Sequence, residues 1–340
     1  MSQLITLDQA EELAVGQVHD LYRQYVNRSQ VNLMTSFGFG RDLVERAEGA
    51  YLHLKDGRKI LDFTGGVGVL NHGHNHPRIM AARRRFAERQ RMEVHKTYFS
   101  PYLAALSHNL AAVLPDDLDM SFFPNSGAEA VEGAVKLAYK YHGGKRNTIL
   151  RSDISFHGKL LGSGSLTGSA QNKFKFPGIP GVVSFPYDDL DAVRAAVDAT
   201  RDSRGRCDVY ALLIEPFSAS TMRWCSEEFL RGVRELCTRE NIVLLFDEIY
   251  TGWQDRQHVL LHALPGPGAG RGDHLEVVRW RQVVDLGVRR PALDLHQGLR
   301  QPQRRAAAEH QHHVLRLRRG DRHRHRGDQR RRRRGLPGPS

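Results

Sequence analysis

No lysine follows Lys175 in this 340-residue chain; all nine lie between Lys55 and that position. From Gln254 to Ser340 isoleucine, asparagine, phenylalanine, tyrosine, methionine and threonine are missing as well. A segment so poor in large apolar side chains cannot bury enough surface to offset the entropy of ordering it, and it is expected to stay unstructured. Cysteine is scarce. Cys207, Cys225 and Cys237 make an odd number with no metal or redox spacing, which suits a reducing compartment better than a disulfide framework. The opening stretch MSQLITLDQAEELAVGQVHDLY has no basic flank leading into an apolar run, so no secretory signal is expected. No apolar run approaches the roughly 20 residues of a membrane-spanning helix. The expectation is a soluble, cytoplasmic protein without a membrane partner.

Charge divides the chain where the missing residue types begin. Residues 1–253 hold 30 Lys+Arg and 30 Asp+Glu, whereas 254–340 hold 20 Arg and 8 Asp+Glu, so the whole formal charge of +12 sits in the second stretch. The basic balance therefore says nothing about the partners of the first. Three segments are expected: an N-terminal helix and hairpin segment (1–60), a large domain (61–253) and an Arg/Gly/Pro-rich tail (254–340).

The front part reads as α/β. In YLHLKDGRKILDF, from Tyr51 to Phe63, two short strands flank an Asp56-Gly57 turn. Apolar runs follow at 148–150, 182–185, 210–214 and 242–246, and helical patterns lie at 128–141, 190–199 and 227–239. Strands that alternate with helices predict a mostly parallel sheet covered on both faces, with ligands beyond the carboxyl ends of its strands.

Three short stretches carry chemistry. In NSGAEAVEGAVKLAYKYHGG, Ser126 and Glu129 have capping-box spacing, and Gly127 and Ala128 leave the first-turn N–H groups open. A helix start of this kind favours an anion such as phosphate. In SFHGKLLGSGSLTGS, Phe156 precedes His157 and Gly158 in a Gly/Ser-rich loop, where an aromatic can stack on a planar ligand. LLIEP and LLFDE end two apolar runs in Glu215 and in Asp247-Glu248. The βαβ unit between them puts Glu215 and Asp247 at neighbouring strand ends on one rim, where an acid after four apolar residues needs a cation or ligand. LLFDE also has the form of a nucleotide hydrolase's acidic strand. That reading requires Gly-Lys-Ser or Gly-Lys-Thr, whereas the two Gly-Lys pairs here precede Arg146 and Leu160.

In this order, LDFTGGVGVLNHGHNHPRI, FFPNSGAEAVEGAVKLA, FHGKLLGSGSLTG, LLIEPFSA and LLFDEIYTGW resemble the class III aminotransferases, pyridoxal-phosphate enzymes of fold type I, over roughly residues 35–253. The resemblance implies that Ser126, Gly127 and Ala128 bind the phosphate of pyridoxal 5'-phosphate and that Phe156, followed by His157, stacks on its ring. It implies that Asp247 pairs with the ring nitrogen, that Glu215 supports this acidic network and that Ile249 lies against the other ring face. It further implies a homodimer that moves an amino group from an amino acid or ω-amine donor to a 2-oxo acid. His95 and Tyr98 fall where the family builds substrate and subunit contacts. The family's Schiff-base lysine follows the aspartate strand by a few tens of residues. This chain has none there, so it is expected to be catalytically incomplete and to lack the C-terminal small domain.

The missing residue types after Trp253 are those a GC-rich gene loses when it is read out of frame. Joining the last two bases of each permitted codon to the first base of the next gives, from Gln254 onward, a reading that contains TTSKSFGGG. Its lysine arises across the codons of Glu276 and Val277. The alternative is a genuine arginine-rich arm that binds nucleic acid through phosphates, resting on Arg330 to Arg334 and the tail's charge. Such an arm usually mixes Lys with Arg and rarely interrupts a fold directly after a strand, so no specific nucleic-acid partner is expected.

Overall fold

The computed structural model describes residues 4–94, 97–114, 118–168, 177–218 and 220–252, together with the backbone of 275–280 and 283–288. The chain divides into two compact units, one running from Met1 to Tyr98 and the other starting at Phe99. The expected segment boundary at residue 60 thus falls inside the first unit. His95, Lys175 and most of 254–340 lie outside the described residues.

The first unit begins with α1 (Leu7–Glu11), α2 (Val15–Leu21), a π-helical turn (Tyr22–Val26) and α3 (Arg28–Ser36). Strands β1 (Val44–Glu48), β2 (Tyr51–Leu54) and β3 (Lys59–Leu61) form an antiparallel sheet, with β2 and β3 joined through the Asp56-Gly57 turn. A short turn of helix, α4 (Gly65–Gly68), and α5 (Pro77–Glu88) complete it. The LDFTGGVGVLNHGHNHPRI stretch is tied together by one carboxylate. Asp62 Oδ1 accepts from the Thr64 hydroxyl at 2.6 Å and the Thr64 and Gly65 N–H groups at 2.8 and 3.1 Å, while Oδ2 lies 2.8 Å from His74 Nε2.

The Thr64 hydroxyl bond, then that of His74, holds the Asp62 carboxyl down at about 2 against an ordinary value of 3.8. Because the folded value is the lower one, the stabilisation is complete above about 4 and drains away as pH falls through about 2. Urea midpoints of wild type and Asp62→Asn are expected to converge across that window. A gap that stays constant from pH 5 to about 2 would contradict the assignment.

The second unit contains α6 (Pro101–Val113), β4 (Ser121–Phe122), α7 (Gly127–Tyr141), β5 (Thr148–Ser152), α8 (Leu161–Ser165), β6 (Val182–Phe185), α9 (Leu190–Ala199) and β7 (Val209–Ile214). The hairpin β8 (Phe217–Ser218) and β9 (Arg223–Trp224), α10 (Glu227–Glu240) and β10 (Val243–Asp247) follow. Two segments of the stretch expected to stay unstructured are strands: β11 (Leu275–Trp280) and β12 (Val283–Val288). They are the tail windows with most valine, LEVVRW and VVDLGV, where β-branched side chains favour the extended backbone. The seven-stranded sheet has the order β4-β12-β11-β10-β7-β5-β6, and β12 alone runs against its neighbours.

Strict alternation along the central strands builds two cores. Leu150, Leu212, Ile214, Leu244 and Phe246 pack with Val193 and Val197 of α9 and Phe229, Leu230, Val233 and Leu236 of α10. Ile149, Ala211, Leu213, Val243 and Leu245 meet Ala130, Val131, Ala134 and Ala138 of α7 on the opposite face. Small residues on α7 let that helix lie close to the sheet. Each fully buried leucine here is worth about 2–5 kcal/mol against alanine. Arg146 then locks the crossover between β7 and β10. Its Nη1 donates to the carbonyls of Val209 and Asn241 at 2.7 and 3.0 Å and its Nη2 to that of Glu240 at 3.1 Å, which occupies carbonyls that α10 leaves open. Among the described residues no helix is long and apolar enough to cross a membrane.

Candidate functional site

Parallel pairing of β7 and β10 fixes the acidic rim. The register couples Val243 with Ala211 and Phe246 with Ile214, so Asp247 closes β10 at the level where Glu215 follows β7. Both are buried, at 2% and 1% exposure. A carboxylate in such a place needs partners, because burying it alone costs several kcal/mol. Asp247 has His157, whose Nδ1 lies 2.8 Å from its Oδ2, with both side chains fully buried. A carboxylate only accepts, so Nδ1 carries the proton. The Ile249 N–H points at Oδ1 from 3.4 Å, and Ile249 is half-buried beside it.

Glu215 also meets the loop that follows β5. Its Oε2 accepts the N–H of Phe156 at 2.8 Å, so it anchors the backbone of the loop after β5. That loop crosses the end of β7 and delivers Phe156, half-buried, and His157 to Asp247. Sequence spacing brings the two acids to one rim correctly, but it cannot reveal that one of them holds the aromatic loop.

The start of α7 lies against the same loop. Ser126 Oγ accepts the Glu129 N–H at 3.2 Å, and Glu129 Oε2 accepts the N–H of Asn125 at 2.7 Å. The return bond thus lands one residue earlier than in an ideal capping box, and Gly127 and Ala128 keep first-turn N–H groups with no intrahelical acceptor. Ser126 is exposed, and Gly127 and Ala128 are half-buried. Gly158 packs onto this turn with φ +119°, and a Cβ there would come 2.6 Å from Ala128 Cβ. Phe156, His157 and Gly158 therefore join a helix N-terminus to a buried aspartate within three residues.

Two residues that sequence reasoning missed hold the loop. Thr167 is fully buried and its hydroxyl accepts the His157 N–H at 3.0 Å. Glu132, on the second turn of α7, accepts the Ser163 N–H at 2.8 Å and so fastens the start of α8. Gly162 approaches Glu132 so closely that a Cβ would lie 2.6 Å from its Oε2, which explains part of the Gly/Ser richness of LLGSGSLTG. Tyr98 is 73% exposed in the first unit.

Residues 40–256 match the profile of the class-III aminotransferases. The acetylornithine aminotransferase of Gloeobacter violaceus is 38% identical over 217 residues, which is 61% of this chain and 51% of that protein. The acetylornithine aminotransferase of Agrobacterium fabrum is 35% identical over 214 residues, with the same shares covered. The match thus spans about half the length of these relatives. In fold, the chain is similar to an (S)-enantioselective omega-transaminase from Thermomicrobium roseum, with TM-score 0.66 and 20% identity over 82% of this chain and 67% of that one. It is also similar to the ornithine aminotransferase of Toxoplasma gondii, with TM-score 0.64 and 21% identity over 83% and 65%. Motif order, rim geometry and a family match across more than half of its residues agree: the chain belongs to the class III aminotransferases, whose cofactor is pyridoxal 5'-phosphate.

Proposed function

We propose that the gene behind this chain encodes an aminotransferase that moves an amino group from an amino acid or ω-amine donor to a 2-oxo acid, and that this chain, out of frame after Trp253, cannot complete the reaction. The observation that carries the reading is the three-residue link between the open N-terminus of α7 and the buried Asp247. The donor set fits the cofactor at both ends. First-turn N–H groups and the helix dipole suit a phosphate dianion, and a buried carboxylate suits a protonated ring nitrogen.

When bound, pyridoxal phosphate supplies an electron sink for the substrate carbanion while its ring nitrogen stays protonated. Asp247 would keep that proton in place, since a buried negative charge opposes its loss. His157 holds Oδ2 of Asp247, and the carboxylate so oriented would pair with the ring nitrogen. Ser126, Gly127 and Ala128 would hold the phosphate, and Phe156 and Ile249 would pack against the ring and keep water out. The step this chain leaves undone is proton movement at the substrate carbon, which the family assigns to a lysine. In this chain β11 runs beside β10 with Leu244 opposite Glu276 and Leu245 opposite Val277. A lysine encoded across codons 276 and 277 would then lie on the strand next to that of Asp247. A homodimer in the cytoplasm is the assembly expected of the in-frame protein.

Gly158→Ala tests the cofactor reading in this chain. A Cβ at that position meets Ala128 in a backbone region that L side chains rarely adopt, so the variant is expected to weaken pyridoxal phosphate binding in equilibrium dialysis by about a hundredfold or more, the effect of a few kcal/mol. Gly16→Ala, with nothing within 4 Å, is the control. Equal binding by both variants and wild type would overturn the reading.

A further inference from the structure

Thr167 belongs to none of the family motifs' assigned roles, yet it is the polar contact on which the 157–158 turn rests. It is fully buried. Its Oγ1 accepts the N–H of His157 at 3.0 Å and lies 2.8 Å from the Gly158 carbonyl and 3.2 Å from that of Ser163, either of which can take its proton. One hydroxyl therefore holds the N–H of His157 and the carbonyl of Gly158, the residue after it. Thr167 is itself held in place. It follows α8, whose start is fixed to α7 by Glu132 through the Ser163 N–H at 2.8 Å, and Gly168 N–H donates to the Ser155 carbonyl at 2.7 Å. The sequence of contacts runs from α7 through Glu132, α8 and Thr167 to His157 and ends on Asp247 Oδ2 at 2.8 Å.

We infer that Thr167 is a positioning residue for Asp247: its hydroxyl sets the backbone of the 157–158 turn, so that His157 Nδ1 stays on Oδ2 and Oδ1 keeps one orientation. Thr167 does not touch the reacting atoms and acts through His157. Without the hydroxyl, the buried His157 N–H loses its acceptor and the turn must shift to find another. That shift loosens the imidazole and, with Gly158 pressed on Ala128, disturbs the phosphate end of the site as well. The role toward the cofactor rests on the reading of the site proposed above; the hold on His157 does not.

The test uses the full chain with 15N-labelled histidine and no cofactor. His157→Gln identifies the His157 ring resonances among the eighteen histidines. Wild type is expected to show one fixed tautomer at His157, with the proton on Nδ1. Thr167→Val, which keeps the shape and removes the hydroxyl, is expected to bring the two ring-nitrogen shifts toward each other as tautomers average. Thr167→Ser, which keeps the hydroxyl, is expected to hold the wild-type shifts. Where Thr167→Val does not fold, by circular dichroism, Thr167→Ala makes the same comparison. Unmoved His157 shifts in a folded hydroxyl-free variant overturn the inference, and so does Thr167→Ser moving as far as Thr167→Val. In equilibrium dialysis with pyridoxal phosphate, loss of the hydroxyl is expected to raise Kd about tenfold, the size of one buried hydrogen bond, and Thr167→Ser to leave it within about twofold. Unchanged Kd in Thr167→Val beside a large loss in Gly158→Ala overturns the role toward the cofactor. A His157 ring that responds as stated, in a chain whose binding is also indifferent to Gly158→Ala, upholds the positioning and overturns the cofactor reading.

Discussion

In a chain restored to frame after Trp253, Asp247→Ala is expected to lower transamination by at least about a thousandfold. Asp247 ends β10 at the carboxyl rim of the sheet, is 2% exposed and is the carboxylate proposed to oppose a protonated ring nitrogen. Removing it takes the counter-charge from the electron sink, so the loss should fall on kcat as well as kcat/KM. Alanine also strips His157 of its partner at 2.8 Å, and breaking a buried pair from one side costs roughly 3–5 kcal/mol of stability. Asp247→Asn separates the two effects. The amide keeps the volume and can still accept from Nδ1, so stability should hold near wild type while turnover stays low. Near-normal turnover in either variant would sink the assignment of Asp247. An Asp247→Asn variant with normal turnover and an Asp247→Ala variant that merely unfolds would reduce the residue to a structural one.

The elements that frame this site were legible because one physical pattern specified each of them. The apolar runs at 182–185 and 210–214 and the helical periods at 190–199 and 227–239 fall within a residue of the observed β6, β7, α9 and α10. The apolar run at 148–150 fell short of β5, which continues through Arg151 and Ser152. β6 pairs with both polar residues and β7 with Arg151, so tertiary pairing prevailed over local composition.

Site residues divide along the same line. Ser126 and Asp247 announce themselves, one by cap spacing and the other by an acid after buried apolar residues. Glu215 was placed on the correct rim, but its bond to the Phe156 N–H spans 59 residues, and nothing local encodes it. Thr167 and Glu132 were illegible for the same reason, since their acceptors and donors meet only once α8 has folded against α7. The two strands after residue 274 show the limit of composition. A segment with little to bury still contains windows of valine able to pair with an open sheet edge.

Restoring the frame after Trp253 is expected to turn a weak binder into an enzyme with covalently held cofactor. Incubated with pyridoxal phosphate, the restored protein should develop a visible absorption band that survives gel filtration, shifts when an amino donor is added and is trapped by borohydride on the lysine of TTSKSFGGG. The reason is positional. The proposed frame encodes that lysine across codons 276 and 277, whose residues in this chain, Glu276 and Val277, pair with Leu244 and Leu245 of β10. This chain should show no stable band. Its nine lysines all precede Asp247, and Lys159, the nearest in sequence to Phe156, is exposed, so adventitious labelling there is the most it should give. Binding of DNA would not rescue the alternative of a functional arm, because twenty arginines in 254–340 attract any polyanion, with a steep loss of affinity as salt rises. Only sequence-selective binding that persists at moderate salt would favour it. Should this chain instead take up one equivalent of covalently bound cofactor and transaminate, the out-of-frame reading of residues 254–340 is wrong, and a lysine before Asp247 must do the work assigned to the missing one.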